Sequence, residues 1–144
     1  MVHQFPELTE TYKLRGIHLQ EQARLDLKNN LNQTVRGYKN KGFSVTSSFH
    51  SKNAIANCNT DFEYVLLSPV FGSISKAGYE GKGFDVRELD AVVVGMGGIN
   101  EHTLQATIDL GYKGVGVLGG IWNSDNPMES FGSIRDKANM IVQS

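Results

Sequence analysis

Two runs in the last third of the chain, Ala91–Ile99 and Gly114–Ile121, carry almost nothing but apolar residues and glycine. A strand lying on a sheet surface alternates apolar and polar positions. A strand without a polar face must be covered on both sides, as in a parallel sheet flanked by helices. Each run also ends in Gly-Gly and leads into a helical pattern, and half of the 16 glycines fall between Gly95 and Gly120. Glycine reaches positive φ and lets the backbone approach a ligand. Strand ends of this kind present bare N–H groups, so a phosphate site is expected around Gly97, Gly98, Gly119 and Gly120.

The remainder of the chain repeats the pattern of short apolar runs between helices. Phe43–Phe49 and Tyr64–Phe71 read as strands, with Gly16–Leu19 a shorter one and Met1–His3 a stub. Helices are expected at Pro6–Leu14, Leu25–Tyr38 and Ser51–Asn59. Asn100 caps a further helix that carries Leu104 and Ile108 and closes at Gly111. Asn126, Pro127 and Glu129 supply an N-cap, a first-turn proline and a capping-box carboxylate. The last helix then presents Phe131, Ile134, Ala138 and Ile141 along one face. Repeated strand–helix units imply parallel strands joined by right-handed crossovers. Two α/β architectures satisfy this: an open doubly wound sheet and a (β/α)8 TIM-type barrel. Ligand-like residues at several strand ends favour the barrel, but a complete one usually needs about 200 residues or more. The 144 residues hold strands for about six units, so the expectation is a single domain, 1–144, truncated at its N-terminal side to about the last six β/α units. An open barrel leaves two unpaired edges, which makes a homo-oligomer one way to cover them.

A net charge of −1 argues against a polyanion-binding surface, hence against nucleic acid. No apolar run approaches a membrane span, and Met1–Pro6 lacks the regions of a signal peptide, so a cytoplasmic protein with no membrane partner is expected. Cys58 stands alone beside Ala54, Ile55 and Ala56 and reads as a small buried hydrophobe.

The chemistry-bearing residues sit where strands end. After the strand at Tyr64, the loop carries Ser73, Ser75 and Lys76 among Gly72, Gly78, Gly81 and Gly83. Two hydroxyls and an ammonium suit phosphate or diphosphate oxygens; the same composition also describes a solvated loop of turn formers. Ser48 and His50 are two apart on one strand and share a face, which allows either a nucleophile–base pair or a capping role at the core edge. His18 reads equally as a substrate contact or a hydrogen-bonded core histidine. His3 and His102 follow no pattern, and no metal-ligand spacing is present. Gly95–Asn100 is not a dinucleotide fingerprint, because asparagine stands where the third glycine is required.

Taken in order, Tyr64–Phe71, Ser73 to Lys76, Val94–Ile99 and Gly114–Ile121 resemble the thiamine phosphate synthase superfamily, which includes the thiazole tautomerases. Gly16–Leu19 and Ser47–His50 fit its earlier strands, so the resemblance covers nearly the whole chain. It implies a (β/α)8 barrel and a transferase that joins an aminopyrimidine methyl diphosphate to a thiazole phosphate in thiamine biosynthesis. By the resemblance, Lys76 holds the leaving diphosphate and Ser48 sits beside the pyrimidine or diphosphate. Ser73 and Ser75 line the thiazole phosphate side, and the amides at Gly97, Gly98, Gly119 and Gly120 bind that phosphate. His18 and His50 are further substrate-contact candidates. Mg²⁺ is expected from the family, yet the motif that supplies its carboxylates falls on His3, Gln4 and Phe5, and the second carboxylate stretch becomes Gln20–Ala23. Glu21 is the nearest substitute. Pro69 matches many synthases, whereas Glu80 to Gly83 resembles the tautomerases. A tautomerase, moving a proton within a single thiazole phosphate with His50 or His18 as base, is therefore the alternative. A non-catalytic phosphate-binding barrel remnant is the third.

Overall fold

A computed structural model describes residues 1–71 and 83–143. Helices and strands alternate: α1 (Glu7–Thr11), β1 (Gly16–Leu19), α2 (Glu21–Asp26), a 3-10 turn (Lys28–Asn30), α3 (Leu31–Asn40), β2 (Ser44–Phe49), α4 (Lys52–Ala56), β3 (Val65–Leu67), β4 (Val93–Met96), α5 (Leu104–Asp109), β5 (Gly114–Gly116), α6 (Gly119–Trp122) and α7 (Pro127–Gln143). The class is α/β, as the two-sided apolar runs require. Strand order follows chain order, β1 to β5. A doubly wound sheet reverses direction part way, so this order is the winding of a barrel and decides between the two expected architectures.

The chain forms two compact units, the first Met1–Leu66 with Leu89–Val92, the second Leu67–Glu88 with Val93–Ser144. In the first unit β1 and β2 are parallel and in register, with Ile17 opposite Val45 and His18 opposite Thr46. The stub is real: Val2 bridges Ile17, donating to Gly16 O at 3.0 Å and accepting from the His18 amide at 2.8 Å. Glu63 N donates to Val45 O at 2.9 Å, which sets the chain entering β3 beside β2, and Val65 N donates on the other side to Val92 O at 2.9 Å. Ile17 and Val45 turn one face of this sheet onto Val35 of α3, with Leu31 and Tyr38 beside it. Alternation sends His18, Thr46 and Ser48 to the other face.

In the second unit β4 and β5 are parallel, Met96 opposite Gly116. Val70 N donates to Met96 O at 2.8 Å, so the chain leaving β3 continues alongside β4. Gly95 is required here by packing. A Cβ on it would lie 2.6 Å from Val70 Cγ2 and 2.9 Å from the Tyr112 ring. Leu104, Tyr112, Val93, Val70 and Ile134 form the buried centre.

Several expected boundaries move. Gly114–Ile121 splits into β5 and α6, so Gly119 and Gly120 open a helical turn instead of ending a strand. Leu25–Tyr38 starts earlier, at Glu21, and breaks at the 3-10 turn. Asn100 does cap, its Oδ1 accepting from the amides of His102 (2.8 Å) and Thr103 (3.1 Å), but helix geometry begins only at Leu104. Gly111 closes α5 at φ +97°. Pro127 begins α7, and Asn126 Oδ1 accepts from Glu129 N at 3.3 Å. Phe131, expected in the core, is 48% exposed with Arg135 over its ring, while Ile134 is buried. Cys58 is only half-buried.

Candidate functional site

In the first unit the site grows from the facing ends of β1 and β2. Their register places His18 directly beside Thr46, and alternation adds Ser48 on the same face. The His18 imidazole spans the two hydroxyls, Nδ1 at 2.8 Å from Thr46 Oγ1 and Nε2 at 2.7 Å from Ser48 Oγ. The ring is 4% exposed, and the His3 ring lies 4.6 Å from it. Burial, and then the charge that His3 can carry, hold its pKa down at about 4. His18 is therefore neutral near pH 7. One ring nitrogen donates and the other accepts, so Ser48 keeps hydrogen-bonding capacity for a ligand.

Ser48 pairs with His18, not with His50. This corrects the nucleophile–base pair that spacing along one strand allowed. His50 lies just past the strand end and binds Glu21: Nδ1 is 3.0 Å from Glu21 Oε2, and the His50 amide donates to the same oxygen at 3.1 Å. Those hydrogen bonds hold the Glu21 carboxyl below the usual carboxylate range. A carboxylate at Nδ1 leaves Nε2 with its lone pair, and the His50 side chain is 61% exposed. The arrangement is that of a base oriented by a third group.

Sequence reading missed Arg24 altogether. It reaches back from α2 to the opposite face of β2, where Nε donates to Ser47 Oγ at 3.1 Å and Nη2 to Ser48 O at 3.4 Å. Its guanidinium lies 3.7 Å over the Phe49 ring and 3.5 Å from Glu21. An arginine three residues after a glutamate on a helix start was the available signal. A cavity of about 380 Å³ on that helix-side face, lined by Phe49, Ile55, Phe62, Val65 and Val92, with Cys58 on its wall, does not include His18 or Ser48.

In the second unit the expected glycines follow β4 and open α6. Gly97 and Gly98 take φ +89° and +67°, a region that favours glycine. Thr103 locks the turn that follows, its hydroxyl donating to Gly98 O at 3.0 Å and accepting from Asn100 N at 2.9 Å. Gly120 abuts Ile99: a Cβ there would lie 2.4 Å from the Ile99 carbonyl oxygen. Glycine at 120 thus allows α6 to approach the Gly97–Ile99 turn. Ser73, Ser75 and Lys76 lie outside the described residues.

No group of three or more His, Cys, Asp or Glu is gathered among the described residues, and Glu21 Oε2 is taken up by His50. Among the described residues no helix is long and apolar enough to cross a membrane.

No family model matches the chain, and no curated protein matches it by sequence. Solved structures do. Thiamine phosphate pyrophosphorylase (another name for the synthase) from Pyrococcus furiosus aligns with a TM-score of 0.72 at 15% identity, over 97% of this chain and 67% of that one. The thiamine phosphate pyrophosphorylase of Bacteroides thetaiotaomicron aligns with a TM-score of 0.62 at 26% identity, over 96% of this chain and 68% of the other. A KDPGal structure aligns at 0.55 and 15% identity, over 96% and 76%. The chain has the fold seen in the thiamine phosphate synthases over about two thirds of their length, which bears out the resemblance carried by its motifs.

Proposed function

We propose that this chain is a thiamine phosphate synthase-type transferase that takes small phosphorylated substrates. The observation that carries the reading is the likeness to two thiamine phosphate pyrophosphorylases, combined with positive-φ glycines at the end of β4. In this reading the amides at Gly97, Gly98, Gly119 and Gly120 take the thiazole phosphate, while Ser48, set by His18, contacts the pyrimidine diphosphate. By the resemblance, Ser73, Ser75 and Lys76 take the phosphate and diphosphate oxygens. The methylene–oxygen bond to diphosphate breaks, and the thiazole nitrogen then bonds to the methylene carbon of the pyrimidine cation. The protein's part is to position the partners and stabilise the departing charge. The test is incubation of purified chain with both substrates and Mg²⁺, with and without Lys76→Ala. Thiamine phosphate formed by the parent chain and reduced at least tenfold in the variant is expected. No product from the parent chain overturns the transferase reading.

One observation favours a second reading. Glu21 holds His50 through Nδ1 on a side chain that is mostly exposed, an arrangement suited to a general base, as a thiazole-phosphate tautomerase requires. In that case the chain interconverts thiazole phosphate tautomers without the pyrimidine substrate, and His50→Ala abolishes the exchange of ring protons with solvent deuterium. Full exchange in His50→Ala removes this reading.

A further inference from the structure

Arg24 is a buried cation that neither proposed reaction uses. It is 7% exposed, and the nearest carboxylate, Glu21, stands 3.5 Å away with Oε2 accepting instead from His50. Its contacts fall on three consecutive residues at the end of β2: the Ser47 hydroxyl, the Ser48 carbonyl and the Phe49 ring. The Ser47 hydroxyl, having accepted from Arg24, donates onward to Leu19 O at 2.8 Å, the last residue of β1. A buried ion is poor evidence for stability, since well-packed apolar residues often replace one without loss. Fixing geometry explains the contacts better. A guanidinium is flat and carries its donors in a fixed fork, so one side chain stacks on a ring and bonds two acceptors in a set geometry; an ammonium has neither the plane nor the fork.

We infer that Arg24 is a positioning residue that sets the end of β2 from its helix side, and through it the Ser48 hydroxyl and the Glu21–His50 pair on which ligand binding depends. The role assigned to the ligand rests on the function proposed above; the geometry of the bracket does not. Ser48 has its carbonyl on Arg24 and its hydroxyl on His18, so turning its peptide moves both. His50, two residues on, is tied back to α2 by Glu21, the residue one helical turn before Arg24. Arg24 and Glu21 therefore grip the strand end from one short helix.

The experiment compares Arg24→Lys and Arg24→Met with the parent chain. Nitrogen-15 shifts of the histidine rings report the His50 tautomer, far-UV circular dichroism and melting report folding, and thiamine phosphate titration reports ligand binding. In the parent chain His50 carries its proton on Nδ1. In both variants the protein still folds, the His50 proton moves largely to Nε2, as in a solvated imidazole, and thiamine phosphate binds at least tenfold more weakly, lysine giving no rescue. Folded variants that keep the parent tautomer and affinity overturn the inference. Ser47→Ala removes the hydroxyl between Arg24 and Leu19 while sparing the ring stack. It gives a smaller shift of the same kind and decides the matter if neither Arg24 variant folds. A parent chain that ignores thiamine phosphate refutes the functional reading, while the tautomer measurement still judges the bracket.

Discussion

His18 makes the stability of this protein pH-dependent between about pH 6.5 and 4. Burial and the neighbouring His3 hold its pKa at about 4, against 6.5 in the unfolded chain. The sign follows from which state takes the proton first. Between those two values the unfolded chain is protonated at this site and the folded one is not, so acid drives unfolding. The contribution is fully present above pH 6.5 and is lost as pH falls towards 4. The whole shift is worth about 3 kcal/mol at 1.36 kcal/mol per pH unit. Between pH 7.5 and 5 the linkage relation gives a loss of about 2 kcal/mol. Urea unfolding followed at half-unit steps over that range, in the parent chain and in His18→Gln, isolates the effect. The glutamine retains polar atoms for Thr46 and Ser48 but binds no proton. The difference between the two curves should change by about 2 kcal/mol over the window, and the His18 Hε1 resonance should titrate near pH 4. Parallel curves, or a His18 midpoint at 6 or above, refute the claim that this ring is buried neutral between two hydroxyls.

Three further outcomes follow from packing. Gly97→Ala brings a Cβ to 2.9 Å from Pro69 at φ +89°, a strain of roughly 1–3 kcal/mol; a lowered Tm and loss of thiamine phosphate stabilisation are expected, and an unchanged Tm counts against the assigned backbone. Thr103→Val removes a hydroxyl that bridges Gly98 O and Asn100 N, at a cost of about 1–2 kcal/mol in urea unfolding. Tyr112→Phe should raise the Tm, because the Tyr112 hydroxyl is buried without a hydrogen-bond partner among the described residues and burial pushes its pKa up to about 12; a loss of more than about 1 kcal/mol would mean that the hydroxyl is paired.

The fold was legible where burial is two-sided. Val93 and Val65 announce interior strands because nothing polar accompanies them, and Gly111 and Pro127 mark helix ends by backbone chemistry alone. The site was legible only in part. Gly97 and Gly98 were expected at a strand end, and both take positive φ just past β4. His18 and Ser48 were both candidates, but their pairing depends on the register between β1 and β2, which no local pattern along either strand encodes. The contact of His50 with Glu21 was hidden for the same reason: spacing along one strand sees Ser48 and is blind to Glu21 on α2. Arg24 was invisible because an arginine on a short helix ordinarily faces water. The register of Gly119 and Gly120 was misread because a glycine needed for close approach to Ile99 O has the same letter as one that ends a strand.

The first compact unit is not a continuous stretch of chain. It needs Leu89–Val92, delivered only after the chain has passed into the second unit and returned. On the ribosome, Val65 therefore waits for the Val92 carbonyl it bonds through roughly one to five seconds of synthesis at ordinary elongation rates. During that interval the nascent β3 offers an open edge to other chains. The same interleaving means that a cut after Leu66 yields no intact half, so genetic exchange at that point would pass on a broken piece of the unit.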